Sequence, residues 1–159
     1  MNCPTCSLAL VPLPFRGLEL DACPRGEWIW IRRGFLARLY ESIEPKFTRE
    51  DLVSLRKECR EREGAGAAAA SQPLPCPGCG KPLDRRRLSR VSGIPAHSCK
   101  EHGFLVTRRG FEQFVDFLAR GGEIVARERL APKLAKIRAE AEAEAARQVG
   151  WTPSVFSIL

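Results

Sequence analysis

The sequence predicts a small α+β protein made of two β-hairpin units, each followed by helices. Three observations carry this reading. The chain repeats itself: displaced by 76 residues, Gly17, Cys23 and Arg32-Arg33-Gly34-Phe35 fall on Gly93, Cys99 and Arg108-Arg109-Gly110-Phe111. Cys3-Pro4-Thr5-Cys6 falls on Cys76-Pro77-Gly78-Cys79 at a displacement of 73, so the first hairpin is three residues shorter. Each copy also brackets its hairpin with cysteines, and the segments that follow have apolar residues at helical spacing.

The second copy carries the more complete chemistry. Cys76-Pro77-Gly78-Cys79 is followed by nineteen residues and then by Cys99-Lys100-Glu101-His102. Three thiolates and an imidazole complete the tetrahedron that Zn²⁺ favours and leave no position open, which marks a structural site. The first copy offers Cys3, Cys6 and Cys23, and an ungapped comparison puts Gly26 at the fourth position. Three readings of it stay open. It is a metal-free ribbon resting on its twin, or it recruits a fourth ligand from Cys59, Asp21 or Glu27, or it holds zinc with three thiolates and an open position. One zinc ion is expected at the second site, and two if the first is completed. His97 shares a strand face with Cys99 and is a candidate substitute ligand or hydrogen-bond partner. A ribbon of about 30 residues buries too little surface to fold alone. Structural zinc contributes roughly 10–16 kcal/mol in such units, so metal removal is expected to unfold residues 76–107 while leaving helix behind. The fold class is therefore α+β, small and metal-stabilised, with two zinc-ribbon β-hairpin units each followed by helices.

In chain order, residues 1–63 form the first unit. Leu18 to Asp21 and Trp28 to Ile31 are strand-like, rich in β-branched and aromatic residues. A helix is expected from near Arg33 to before Pro45. Thr48 with Asp51 begins another as a capping box, with Leu52, Leu55, Arg56 and Cys59 along one face. Residues 64–72 carry no charge and no large apolar side chain and read as a linker. The second unit spans 73–149, with strands at Leu83 to Arg90 and Phe104 to Thr107 and a helix over Phe111 to Arg120 that stops at Gly121-Gly122. Glu123 to Val149 should be helical, with Pro132 kinking or dividing it. Its stripe of Leu130, Leu134, Ile137 and Ala141 is expected to pack on its own ribbon, with a coiled-coil seam as the alternative. The tail, 150–159, is apolar and uncharged, and should either fold back or dock into a partner or a second copy.

Cys3-Pro4-Thr5-Cys6, Leu20-Asp21-Ala22-Cys23-Pro24-Arg25 and Trp30-Ile31-Arg32-Arg33-Gly34-Phe35-Leu36 together resemble the bacterial zinc-finger family named after the ribbon of general transcription factor IIB. The likeness covers about residues 1–40 and, more weakly, 74–115. It implies a zinc-stabilised ribbon and, mainly through the family's name, an association with transcription. Gly26 departs from the family's fourth cysteine, and His102 and Val106 depart from its cysteine and tryptophan in the second copy.

Seven cysteines paired in this way suggest thiolates on metal in a reducing compartment, and the protein is expected to be cytoplasmic, with no membrane partner. The net charge of +7 is concentrated: residues 73–120 hold +5, and the flanking stretches 1–63 and 121–159 hold +1 each. Arg85, Arg86, Arg87, Arg90, Arg108 and Arg109 are the candidate nucleic-acid-binding residues, because guanidinium forks suit phosphate pairs and Phe104 could offer a stacking surface. The plain alternative is a solvated basic face. A Gly-rich phosphate loop, a His-Glu-x-x-His motif and a serine triad are not found, so the chain is expected to be no enzyme, with no small-molecule substrate. The competing class is a protein adaptor or assembly subunit that docks through its helices and residues 151–159.

Overall fold

A computed structural model describes residues 1–64 and 73–149, so the expectations for the linker and the tail lie outside the described residues. Six antiparallel strands form one sheet: β1 (Val11–Phe15), β2 (Leu18–Ala22), β3 (Trp28–Arg32), β4 (Asp84–Arg87), β5 (Pro95–Cys99) and β6 (Gly103–Thr107). Their order across the sheet is β1-β2-β3-β6-β5-β4. The strands of 1–63 and 73–149 therefore meet edge to edge at a central seam. There Trp28 pairs with Thr107, Ile29 with Val106, Trp30 with Leu105, Ile31 with Phe104 and Arg32 with Gly103. Met1–Ala126 is one compact unit, and a second unit begins at Arg127.

Alternation along the strands gives the sheet two different faces. Leu18, Leu20, Ile29, Ile31, Ala96 and Val106 point to one face and join Leu39, Leu55, Phe111, Phe114 and Phe117 in the main core. These come from α1 (Phe35–Ser42), α2 (Arg49–Gly64) and α3 (Arg108–Ala119), so helices cover that face. On the other face Trp30 and Leu105 form a smaller core with Cys76 and Leu83, edged by Leu10, Trp28, Cys79 and Cys99. The cysteine turns sit there. Burial, at about 25 cal/mol per Å² of apolar surface, explains why the central strands β3 and β6 are apolar on both faces.

Helix ends follow local chemistry. Thr48 Oγ1 accepts from the Asp51 N–H at 3.2 Å while the Asp51 carboxylate accepts from the Thr48 N–H at 2.8 Å, the expected capping box. α3 begins three residues earlier than the apolar pattern suggests, because Thr107 caps it by accepting from the Gly110 N–H at 3.0 Å. It stops where Gly121 turns the chain at φ +82°. Then α4 (Gly122–Val149) runs on as one helix with Pro132 inside it. On α4, Leu134 is 53% and Ile137 60% exposed. No described helix is long and apolar enough to cross a membrane.

Candidate metal centres

The two cysteine turns are built alike, bond for bond. The Cys3 N–H donates to the Leu8 carbonyl at 2.8 Å and the Ser7 N–H to the Cys3 carbonyl at 2.9 Å. Seventy-three residues on, the Cys76 N–H donates to the Lys81 carbonyl at 2.8 Å and the Gly80 N–H to the Cys76 carbonyl at 2.8 Å. Short bridges, Asn2 with Ala9 and Pro75 with Pro82, close both turns. Met1, Asn2, Cys3, Pro75, Cys76 and Pro77 help line one open groove of about 520 Å³ between them.

Cys76, Cys79, Cys99 and His102 come together with all four ligand atoms within 4.8 Å of one another. Cys79 and Cys99 hold their sulfurs 3.9 Å apart, and Cys99 Sγ lies 3.4 Å from His102 Nδ1. A tetrahedron with metal–sulfur bonds of 2.3 Å has edges of about 3.8 Å, so this set fits a zinc ion. Gly78 makes room for the imidazole: a Cβ there would stand 2.8 Å from His102 Cδ2. Burial would raise the Cys99 thiol, but His102 and the backbone N–H groups of Glu101 and His102 outweigh it and bring it down to about 6. Cys76 is pushed up to about 11, by burial above all. A cation would settle both as thiolates.

Cys3, Cys6 and Cys23 form a second group, also within 4.8 Å, with the Cys6 and Cys23 sulfurs 3.6 Å apart. That spacing too fits a tetrahedral edge. Burial would raise Cys3, yet the Thr5 hydroxyl, 3.2 Å from its sulfur, and nearby backbone N–H groups bring it down to about 7. Of the fourth ligands considered, Cys59 is not brought to this group. It lies fully buried in the main core on α2 with Leu55, because its helical phase matches the apolar face. Asp21 is only 6% exposed and grips Arg32 through two bonds of 2.7 and 2.9 Å, which occupies both its oxygens. Glu27 is exposed and accepts from the Thr5 hydroxyl at 3.0 Å. His97 is not part of the second group either. Its ring packs edge-on against Trp28, centroids 5.7 Å apart, and its buried Nδ1 has no hydrogen-bond partner among the described residues. Burial, with a smaller contribution from Arg85, keeps its pKa below the ordinary histidine value.

The arginines divide into two groups. Arg85, Arg86 and Arg87 lie in β4 at the sheet edge, opposite His97, Ala96 and Pro95, and Arg90 follows in the loop. Arg108 and Arg109 open α3 instead. Arg108 serves the fold, its N–H donating to the Glu27 carbonyl at 3.0 Å and its Nε to the Gly26 carbonyl at 3.3 Å. Sequence reasoning missed Arg33, whose N–H donates to the His102 carbonyl at 2.8 Å and whose guanidinium bonds the Lys100 carbonyl. Arg33, Arg86, Lys100 and the half-buried Phe104 line a shallow depression of about 380 Å³ with Ser98 and Cys99. Comparison with protein-family models, with curated proteins and with solved structures finds no match to this chain in any of the three.

Proposed function

We propose that the protein is a non-enzymatic tandem zinc-ribbon module that binds single-stranded nucleic acid along the edge of the second ribbon. The resemblance to the transcription factor IIB-type zinc fingers points to the same class. The observation that carries the reading is the depression beside β4, which Arg33, Arg86 and Lys100 line together with the half-buried Phe104. Cations that track a phosphate backbone beside a ring that takes a base are the two components of sequence-tolerant single-strand binding. Arg85 and Arg87 alternate with Arg86 and add positive charge to the other side of the same edge strand. Edge-strand charge also discourages strand pairing with other copies, and the same arginines would do both.

The test is binding of a fluorescent oligothymidine of about 16 nucleotides, followed by anisotropy over a salt series. Changing Arg85, Arg86 and Arg87 together to Ala should flatten the salt slope by roughly two units, at about 0.7 per phosphate contact. Phe104→Ala should weaken binding by about 1–3 kcal/mol with the slope unchanged. Absence of binding at about 50 mM salt would overturn the reading. The second reading, a protein-docking adaptor, is favoured by the exposed Leu134 and Ile137 on α4. It predicts that Leu134→Ser with Ile137→Ser releases a protein partner or a second copy and leaves the oligonucleotide titration unchanged.

A further inference from the structure

Four features of the first cysteine group bear on what completes it. The sheet register corrects the ungapped comparison: Cys23 is followed by a four-residue loop, 24–27, before β3, whereas Cys99 is followed by three residues, 100–102, before β6. The extra residue is absorbed at Gly26, which takes φ +76° and closes the turn by donating to the Cys23 carbonyl at 2.8 Å. Glu27, not Gly26, is thus the counterpart of His102, each being the last loop residue before the returning strand. The seam says the same, since the Arg33 N–H donates to the His102 carbonyl at 2.8 Å and the Arg108 N–H donates to the Glu27 carbonyl at 3.0 Å.

The third feature is a matched pair. Thr5 occupies the place that Gly78 holds in the second turn, 73 residues on. Gly78 is bare where the His102 ring lies, and a Cβ would crowd that ring at 2.8 Å. In the first turn the space is filled by a threonine whose hydroxyl bonds the Glu27 carboxylate at 3.0 Å and lies 3.2 Å from Cys3 Sγ. Glycine goes with the bulky imidazole, and threonine with the slimmer carboxylate. The fourth is charge. Three thiolates and a carboxylate on a dication sum to about −2, and the Arg108 side chain stands against this loop, its Nε 3.3 Å from the Gly26 carbonyl.

We propose that Glu27 is the fourth ligand of a second zinc site, made with Cys3, Cys6 and Cys23, and that Thr5 orients its carboxylate. The proposal rests on the reading of the protein as a zinc-binding module. The carboxylate lies outside the 4.8 Å group of sulfurs, with the Thr5 hydroxyl between it and Cys3. It is exposed, and reaching the ion takes a turn of its side chain past the Thr5 hydroxyl. A three-thiolate, one-carboxylate site at the surface exchanges its metal faster than the three-thiolate, one-histidine site beside it.

The experiment is zinc counting and cobalt(II) absorption on the full chain. Wild type should hold two ions. Glu27→Ala should weaken one of them by at least about tenfold, and Cys59→Ala should weaken neither. Glu27→Cys should keep two ions and strengthen the cobalt thiolate charge-transfer band, which distinguishes ligation from a folding defect. Thr5→Ala should keep two ions but shift the cobalt d–d bands of the weaker site. Glu27→His alone should lose the ion because its ring meets Thr5, and adding Thr5→Gly should restore it. Two ions with unchanged affinity in Glu27→Ala overturn the proposal. A single wild-type ion, lost with His102→Ala, also overturns it and leaves the zinc reading standing, whereas no ion at all overturns both.

Discussion

Gly103 opens β6 opposite Arg32 of β3, directly after His102. It takes φ +138°, and a Cβ there would run into the Ile31 carbonyl oxygen and lie 2.9 Å from the Arg33 N–H nitrogen. Those are backbone atoms of a paired strand and cannot swing aside. Gly103→Ala should therefore cost about 3 kcal/mol or more in urea unfolding of the zinc-loaded protein, and wild-type stability would show that the close approach is not needed. At this scale the sequence revealed what side-chain chemistry and spacing announce. Cys76, Cys79, Cys99 and His102 are brought together as their spacing implies. Glu27 was one of three candidates for the first site, and one inserted residue concealed that it, not Gly26, stands in register with His102. Cys59 looked like a spare ligand because it is a cysteine, although its phase with Leu52 and Leu55 on α2 already placed it on the buried face. Arg108 looked like part of a basic patch, since no sequence pattern distinguishes a guanidinium that binds phosphate from one that caps a backbone carbonyl.

Between elements, α2 and the end of α3 are joined by a forked ion pair. Arg120 donates to both Glu58 oxygens, at 2.8 and 3.1 Å, and both side chains are mostly covered, at 23% and 31% exposure. Arg120 holds the Glu58 carboxyl below its ordinary range against the opposing effect of burial. A carboxylate with a lowered folded pKa stabilises the fold above its unfolded value and loses that stabilisation as pH falls through the folded one. Glu58→Gln should thus cost about 0.5–1 kcal/mol at neutral pH. The gap between variant and wild type, followed at each pH so that metal loss affects both alike, should close as pH drops below about 4. A gap that is flat with pH would mean the pair contributes packing rather than charge. Helix boundaries were legible here because capping and glycine stops are local. Val11–Phe15 was not read as a strand, for Pro12 and Pro14 argue against one, and an edge position tolerates them. On α4, Leu134 and Ile137 of the apolar stripe are exposed, and periodicity identifies such a face and not what covers it.

For the whole molecule, the seam between β3 and β6 changes what metal removal should do. Residues 76–107 were expected to unfold by themselves, but β6 is paired on both sides and its partner β3 anchors the first half. Chelation should therefore dissolve the sheet as a unit, and fragments from 1–64 should become protease-sensitive together with those from 73–126. A chelator-treated protein whose first half stays resistant would restore the independent-unit picture. Composition suggested a boundary at 64–72, and it could not reveal that strands on either side of that stretch pair with each other. The same seam also has a cost during synthesis. The strand Trp28-Ile29-Trp30-Ile31 is apolar and β-prone, and its outer edge has no partner until residues 103–107 emerge. At about 5–20 residues per second, that edge waits several seconds on the ribosome, longer than a hairpin needs to form. During that interval a neighbouring nascent chain offers an identical strand, so crowded translation of this protein favours strand exchange between copies before either sheet is complete.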